Sequence, residues 1–302
     1  MTRTTMGADE LVGALLRGGL SAAAVAALLL AGQRWGRDVA GVLAGLPTVT
    51  GPALVWMALD QGGDFASQAA VGAVLAGAAC AVFALAYARA SMALGRWSAL
   101  AVASLASVPA LGLLWLPQLL QVLPALHTPR AVLALAFGLV AAVCLVCLRA
   151  LPQVPALRPD GLAAGASARS SLTTIVVAGA VSTLASLLAP HLSPMAAGAM
   201  TSPPLLAAAV VWELHRQRCC ASVLVFLRGY TAGLVGRCGC VAAFAALLPT
   251  GLVQAVAAGS VVMLALAWVT ARRIGSRADA DTSSSADQRL SEATSAMPVP
   301  AP

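Results

Sequence analysis

Arg237 is the residue that asks most of its surroundings. It stands inside VLVFLRGYTAGLVGRCGCVAAFAALL, a run whose only other charge is Arg228. At the centre of a bilayer an arginine costs roughly 2.5–3.5 kcal/mol on insertion scales, so it needs a partner or water. On a helix Tyr230, Gly233 and Arg237 share one face, whereas Arg228 lies about 180° around and cannot join them in a clamp. Arg237 therefore reads in one of two ways. It is a counter-charge for an anion or for a carboxylate such as Asp60 or Asp64, or it caps carbonyls freed from a broken helix. Arg228 is expected to snorkel to the surface.

Two proline sites carry most of the remaining polar chemistry. In PTVTGPALVW, Pro47 precedes Trp56 by nine residues, and in PPLLAAAVVW, Pro203 precedes Trp212 by the same interval. Each stretch holds a second proline, Pro52 or Pro204. Proline lacks an N–H and clashes with the preceding turn, so a helix loosens there and frees carbonyls. Thr48, Thr50, Thr201 and Ser202 beside these prolines either offer hydroxyl ligands or satisfy the loosened backbone. Asp60 and Asp64 form a proton-coupling pair if half-buried, or a solvated turn around Gly62-Gly63. Glu213 and His215 sit two apart on different helix faces, and no further ligand completes a metal set. Cys144-x-x-Cys147, Cys219-Cys220 and Cys238/Cys240 lack a nearby His pair or second C-x-x-C, so the seven thiols read as packing residues. No H-E-x-x-H or G-x-S-x-G motif occurs, and the absence of Lys removes a Walker lysine and any Schiff base. The sequence thus implies neither an enzyme nor a cofactor.

The elements that position these residues belong to a membrane. Apolar residues make up 60% of the 302 and charged residues 10%. The mean hydropathy is +0.89. A soluble domain carries about 25% charge, more than twice this share, so the composition describes a polytopic protein partnered by the lipid bilayer. With two Tyr and five Phe the chain has no stacking platform, which excludes nucleic acid as a partner.

Cutting at charges and Pro/Gly clusters gives nine helical spans of about 20 residues. They are roughly 11–32, 39–59, 65–88, 97–116, 131–148, 171–189, 194–214, 221–248 and 251–270. All six Trp fall at predicted ends or connections, where the bilayer interface favours them. Thirteen Arg fall on one face and three, Arg3, Arg17 and Arg130, on the other. That bias places the N-terminus outside and the C-terminus in the cytoplasm of a bacterial inner membrane. A signal peptide is the alternative for the first segment, but Arg17 interrupts it. Residues 117–170 read as a linker helix with a cytoplasmic loop, and 271–302 as a disordered tail.

The two proline motifs suggest a duplication, 11–116 and 171–270, with the fifth segment as an odd linker helix. One intervening span inverts the second copy. The fold expected is therefore an all-α transmembrane bundle of two inverted four-helix repeats. Corresponding proline-interrupted helices in such repeats point to a transporter's binding site, although proline also kinks helices without further purpose. The candidate substrate-binding residues are Pro47, Thr48, Thr50, Asp60, Asp64, Thr201, Pro203, Pro204, Glu213, Tyr230 and Arg237.

AGLPTVTGPALVWMALDQGGDFASQAAVGAVL, ELHRQ and VFLRGYTAGL together resemble uncharacterised multi-pass inner-membrane proteins of GC-rich proteobacteria. The helix–AGLP–helix unit is similar to small four-helix proteins of the GlpM-like type. The resemblance covers about 40–240; it implies an inner-membrane helical-repeat fold and transfers no functional residue. Three functions compete at this stage: a small transporter or flippase acting on a small molecule or lipid, a scaffold subunit without a transport cycle, and an intramembrane enzyme, which lacks any supporting motif.

Overall fold

The computed structural model describes residues 47, 49–117, 128–152, 191–202, 204–216 and 220–266, with scattered helical positions in 12–26 and 172–188 and at 269. Much of the first and sixth predicted segments, most of the predicted linker loop, Thr48, Pro203 and the tail lie outside these residues. Every regular element among the described residues is helical. In chain order they are α1 (Thr50–Gln61), α2 (Gly63–Ala90), α3 (Arg96–Leu111), α4 (Pro129–Ala150), α5 (Pro194–Met200), α6 (Leu205–Arg216), α7 (Cys220–Leu247) and α8 (Leu252–Leu266).

Four stretches are long and apolar enough to cross a membrane: Gly63–Ala90, Arg96–Trp115, Arg130–Ala150 and Ala221–Thr250. The 28 residues of α2 and of α7 reach about 42 Å at helical rise, matching a bilayer with its headgroups. Both helices are apolar on every side, the mark of a helix with no water-facing surface. Their alanines and glycines favour close neighbours, and α2 is the most enclosed of the four.

The outer helices show how an all-round apolar sequence acquires an inside. Along α4, Leu133, Ala136, Val140, Cys144 and Cys147 are buried at spacings of three and four, while Leu145 and Val146 face outward. Thr128 caps this helix by accepting a hydrogen bond from the Ala131 N–H at 3.3 Å, and Pro129 occupies the first turn where its missing N–H costs nothing. On α3, Ala99 and Ala103 turn inward and Leu105 outward, with Trp97 and Trp115 exposed near its two ends.

Two junctions fix direction. Gly62, at φ 90°, makes the tight turn between α1 and α2, a conformation that favours glycine. A Cβ on the next residue, Gly63, would lie 3.7 Å from Leu248 at the end of α7. At the far end of α2, the Tyr87 hydroxyl meets Nδ1 of His215, at the end of α6, at 3.2 Å. Helices α2 and α7 therefore run antiparallel. The Tyr87 end also gathers Arg89, Arg96, Arg149 and Arg216. There Arg89 donates to the Ala150 carbonyl at 3.3 Å, and Arg96 lies 5.0 Å over the Trp212 ring, which meets Trp97 at 4.0 Å.

The seventh predicted segment differs from expectation. It is not one continuous helix across 194–214 but a seven-residue α5, a break at 201–204, and a twelve-residue α6. Pro203-Pro204 removes two consecutive backbone donors, which a continuous helix cannot tolerate. α5 nonetheless lies hard against α2: a Cβ on Gly72 would collide with the Met195 carbonyl, and one on Gly198 with the Ala69 carbonyl. The second predicted segment is described from Pro47 onward, with α1 starting at Thr50.

Candidate functional site

The two proline sites meet inside the bundle. Thr50, the first residue of α1, donates its hydroxyl proton to the Thr201 carbonyl at 3.1 Å. Its oxygen lies 3.3 Å from the Ser202 hydroxyl. With the Thr50 proton committed to Thr201, Ser202 is the donor in that second contact. Thr50, Thr201 and Ser202 are each 2% exposed, so these bonds are made away from solvent. An unpaired carbonyl at that depth would cost about 1–3 kcal/mol, and the hydroxyls beside the prolines remove that cost.

The break is also tied to α2 and α7. The Cys80 thiol donates to the Ser202 carbonyl at 3.0 Å, and Nη2 of Arg237 approaches the same sulfur at 3.6 Å. A chain of contacts thus runs from Thr50 through Thr201-Ser202 and Cys80 to Arg237. Arg237 is 6% exposed. Its ionisable neighbours include Cys80, Tyr230, Cys238 and Cys144. Tyr230 is buried and stacks on Phe226 with ring centroids 6.3 Å apart. Sulfur is a weak acceptor, so one thiol is poor company for a guanidinium with five donors.

Other expected site residues lie elsewhere. Asp60 and Asp64 are exposed at the α1–α2 turn. Arg237 meets α2 at Cys80, sixteen residues beyond Asp64 on that helix, about 24 Å at helical rise. Pro47 and Pro204 act through their backbones: the Pro47 carbonyl accepts from Gly51 N–H at 2.8 Å and the Pro204 carbonyl from Ala208 N–H at 2.7 Å. Thr48, Pro203 and the Glu213 side chain lie outside the described residues. Arg228 is partly exposed, in keeping with a snorkelling side chain.

Sequence reasoning missed Cys80, which it read as packing. A signal was present: Cys80 and Arg237 occupy the same position, the eighteenth, of two helices that are each 28 residues long. It also missed that His215 pairs with Tyr87. Among the described residues no group of three or more His, Cys, Asp or Glu could hold a metal ion.

Comparison with family models, curated proteins and solved structures finds no match to this chain.

Proposed function

We propose that the chain is a small secondary transporter or flippase of the bacterial inner membrane, working by alternating access between two inverted repeats across nine spans. The observation that carries this reading is the meeting of the two proline sites, Thr50 against Thr201-Ser202, inside the bundle. Transporters of this architecture place their sites near the membrane midplane, where interrupted helices from both repeats come together.

Element lengths support the duplication. Twelve-residue α1 and 28-residue α2 are echoed by twelve-residue α6 and 28-residue α7. The antiparallel course of α2 and α7 supports inversion. So does the contact of Cys80 with Arg237, which lie 157 residues apart, within one residue of the Pro47–Pro203 interval. Equivalent residues touch only where a local two-fold axis passes between them. Ala22 and Gly179 have the same separation, and a Cβ on Gly179 would lie 3.3 Å from that of Ala22. The arginines gathered at the Tyr87 end support a cytoplasmic placement of that end.

A second reading, a scaffold subunit that never opens, is favoured by the near-complete burial of Thr50, Thr201 and Ser202. The buried Cys80 thiol separates the two. In a chain keeping Cys80 as its single cysteine, a small charged methanethiosulfonate should label it from either face of oriented vesicles. Protection from both faces, with the protein folded, would reject transport in favour of the scaffold.

A further inference from the structure

We infer that Arg89 and Arg149, held together where α2 and α4 end, form a binding site for the headgroup of an anionic phospholipid whose acyl chains lie along the outer face of α4. The site asks nothing of the transporter reading and would belong equally to a scaffold.

The two arginines stem from one junction. Arg89 is the penultimate residue of α2, and Arg149 the penultimate residue of α4. Nη2 of Arg89 donates to the Ala150 carbonyl at 3.3 Å, and that carbonyl belongs to the residue following Arg149. The last turn of a helix has no N–H of its own for such a carbonyl, so the bond holds the α2 guanidinium against the α4 terminus. Both arginines are exposed. Among the described side chains the carboxylates are Asp60 and Asp64, and both lie at the opposite end of α2. Helix C-termini favour cations, which lets two guanidiniums share the junction without a carboxylate. A phosphodiester complements them: each guanidinium fork matches two phosphate oxygens, and basic pockets between membrane helices bind anionic headgroups.

The surface below the arginines selects a lipid over a free phosphate. Val146, Leu145, Ala142 and Gly138 precede Arg149 by three, four, seven and eleven residues, so they share one face of α4 with it. All four are exposed, Val146 at 63% and Leu145 at 50%. At Gly138 an added Cβ would meet nothing within 4 Å, which leaves a shallow trough in that face. From Gly138 to Arg149 the helix rises about 16 Å, close to the hydrocarbon depth of one leaflet. Trp97, 69% exposed and meeting Trp212 edge-on at the same end of the bundle, marks the headgroup level. A lipid seated on the arginines thus finds an uninterrupted apolar face for its chains. An acidic protein segment would leave that face unused.

The full chain, purified in a nonionic detergent, tests this by its thermal midpoint with added phosphatidylglycerol or phosphatidylcholine of the same acyl chains. Phosphatidylglycerol should raise the midpoint with the logarithm of its concentration, and phosphatidylcholine should raise it less. One arginine beside an anionic lipid is worth roughly fivefold in affinity. Arg149→Gln should therefore move the phosphatidylglycerol response to about fivefold higher concentration, and Arg89→Gln should do the same. Arg130→Gln, at the other end of α4, should leave the response unchanged. Should either site variant fail to fold, the wild-type chain still decides: native mass spectrometry should show phosphatidylglycerol retained in preference to phosphatidylcholine at equal mole fraction. Equal responses to the two lipids, or a response that Arg149→Gln keeps in full, would overturn the site. A loss as large in Arg130→Gln would also overturn it, by assigning the effect to net charge alone. Stabilisation by sodium glycerophosphate or by a polyglutamate peptide that matches phosphatidylglycerol would give the arginines to a free anion or an acidic partner instead, and the lipid site would fall.

Discussion

At the residue scale, the partner of Arg237 decides what its loss would do. The Cys80 sulfur that receives the guanidinium is a weak acceptor, and its own proton is already given to Ser202. Among the described residues, removing the guanidinium therefore strands no strong hydrogen-bonding group. Arg237→Leu should insert more easily, by roughly 2.5–3.5 kcal/mol on insertion scales, with a membrane yield at or above wild type and transport lost. A fall in folded yield, read by size-exclusion of the detergent extract, would instead mark Arg237 as structural. Thr50 behaves oppositely. Its hydroxyl is the donor to the buried Thr201 carbonyl, so Thr50→Val should lower stability by about 1–3 kcal/mol. Thr50→Ser should retain most of it, and the pair of thermal midpoints checks the difference. That a charge in the α7 run needed company was legible from the sequence. That the company is a thiol on α2 was not, because a cysteine among alanines looks the same whether it packs or bonds.

At the element scale, the α2–α5 contact depends on glycines in both partners. Side chains at Gly72 and Gly198 would meet the opposing backbone itself, which has no rotamer to yield. Gly72→Ala and Gly198→Ala should each cost about 1–3 kcal/mol as overpacking. Gly138 on α4 has nothing within 4 Å of an added Cβ. Gly138→Ala should therefore be neutral or stabilising by up to about 1 kcal/mol, from the chain entropy that alanine does not lose. Thermal midpoints that rank all three alike would show that the backbone approach is not what holds α5 in place. The stripe of small residues announced close packing in advance, while the partner was hidden: seven-residue α5 has too little sequence to declare which neighbour it wants.

At the whole-molecule scale, the arginines set a testable orientation. Reporter fusions at 62, 127 and 192 should read extracytoplasmic, and fusions at 92, 160, 217 and 275 cytoplasmic, by the positive-inside bias. Two or more inverted reports would dismantle the nine-span arrangement. Superposition of α1–α2 on α6–α7 after a half-turn about an axis in the membrane plane should bring Trp56 near Trp212 and Cys80 near Arg237. A match obtained only in parallel orientation would remove the inversion.

Composition alone determined that this chain is apolar enough to enter a membrane, since 10% charge cannot cover a water-facing surface. The ends of α2, α3, α4 and α7 fall close to where charges, glycines and tryptophans interrupt the apolar runs, because those interruptions are local and a sequence displays local events directly. Tertiary structure decided the rest. It chose which stripe of each uniformly apolar helix turns inward, broke the seventh segment into two helices, moved Asp60 and Asp64 away from Arg237, and set Cys80 between Ser202 and Arg237. The physical reason is degeneracy. When alanine, leucine and valine surround a helix on every side, burial favours all faces nearly equally. The choice among them then falls to backbone approach at glycine and to a few buried polar bonds between residues more than 100 positions apart.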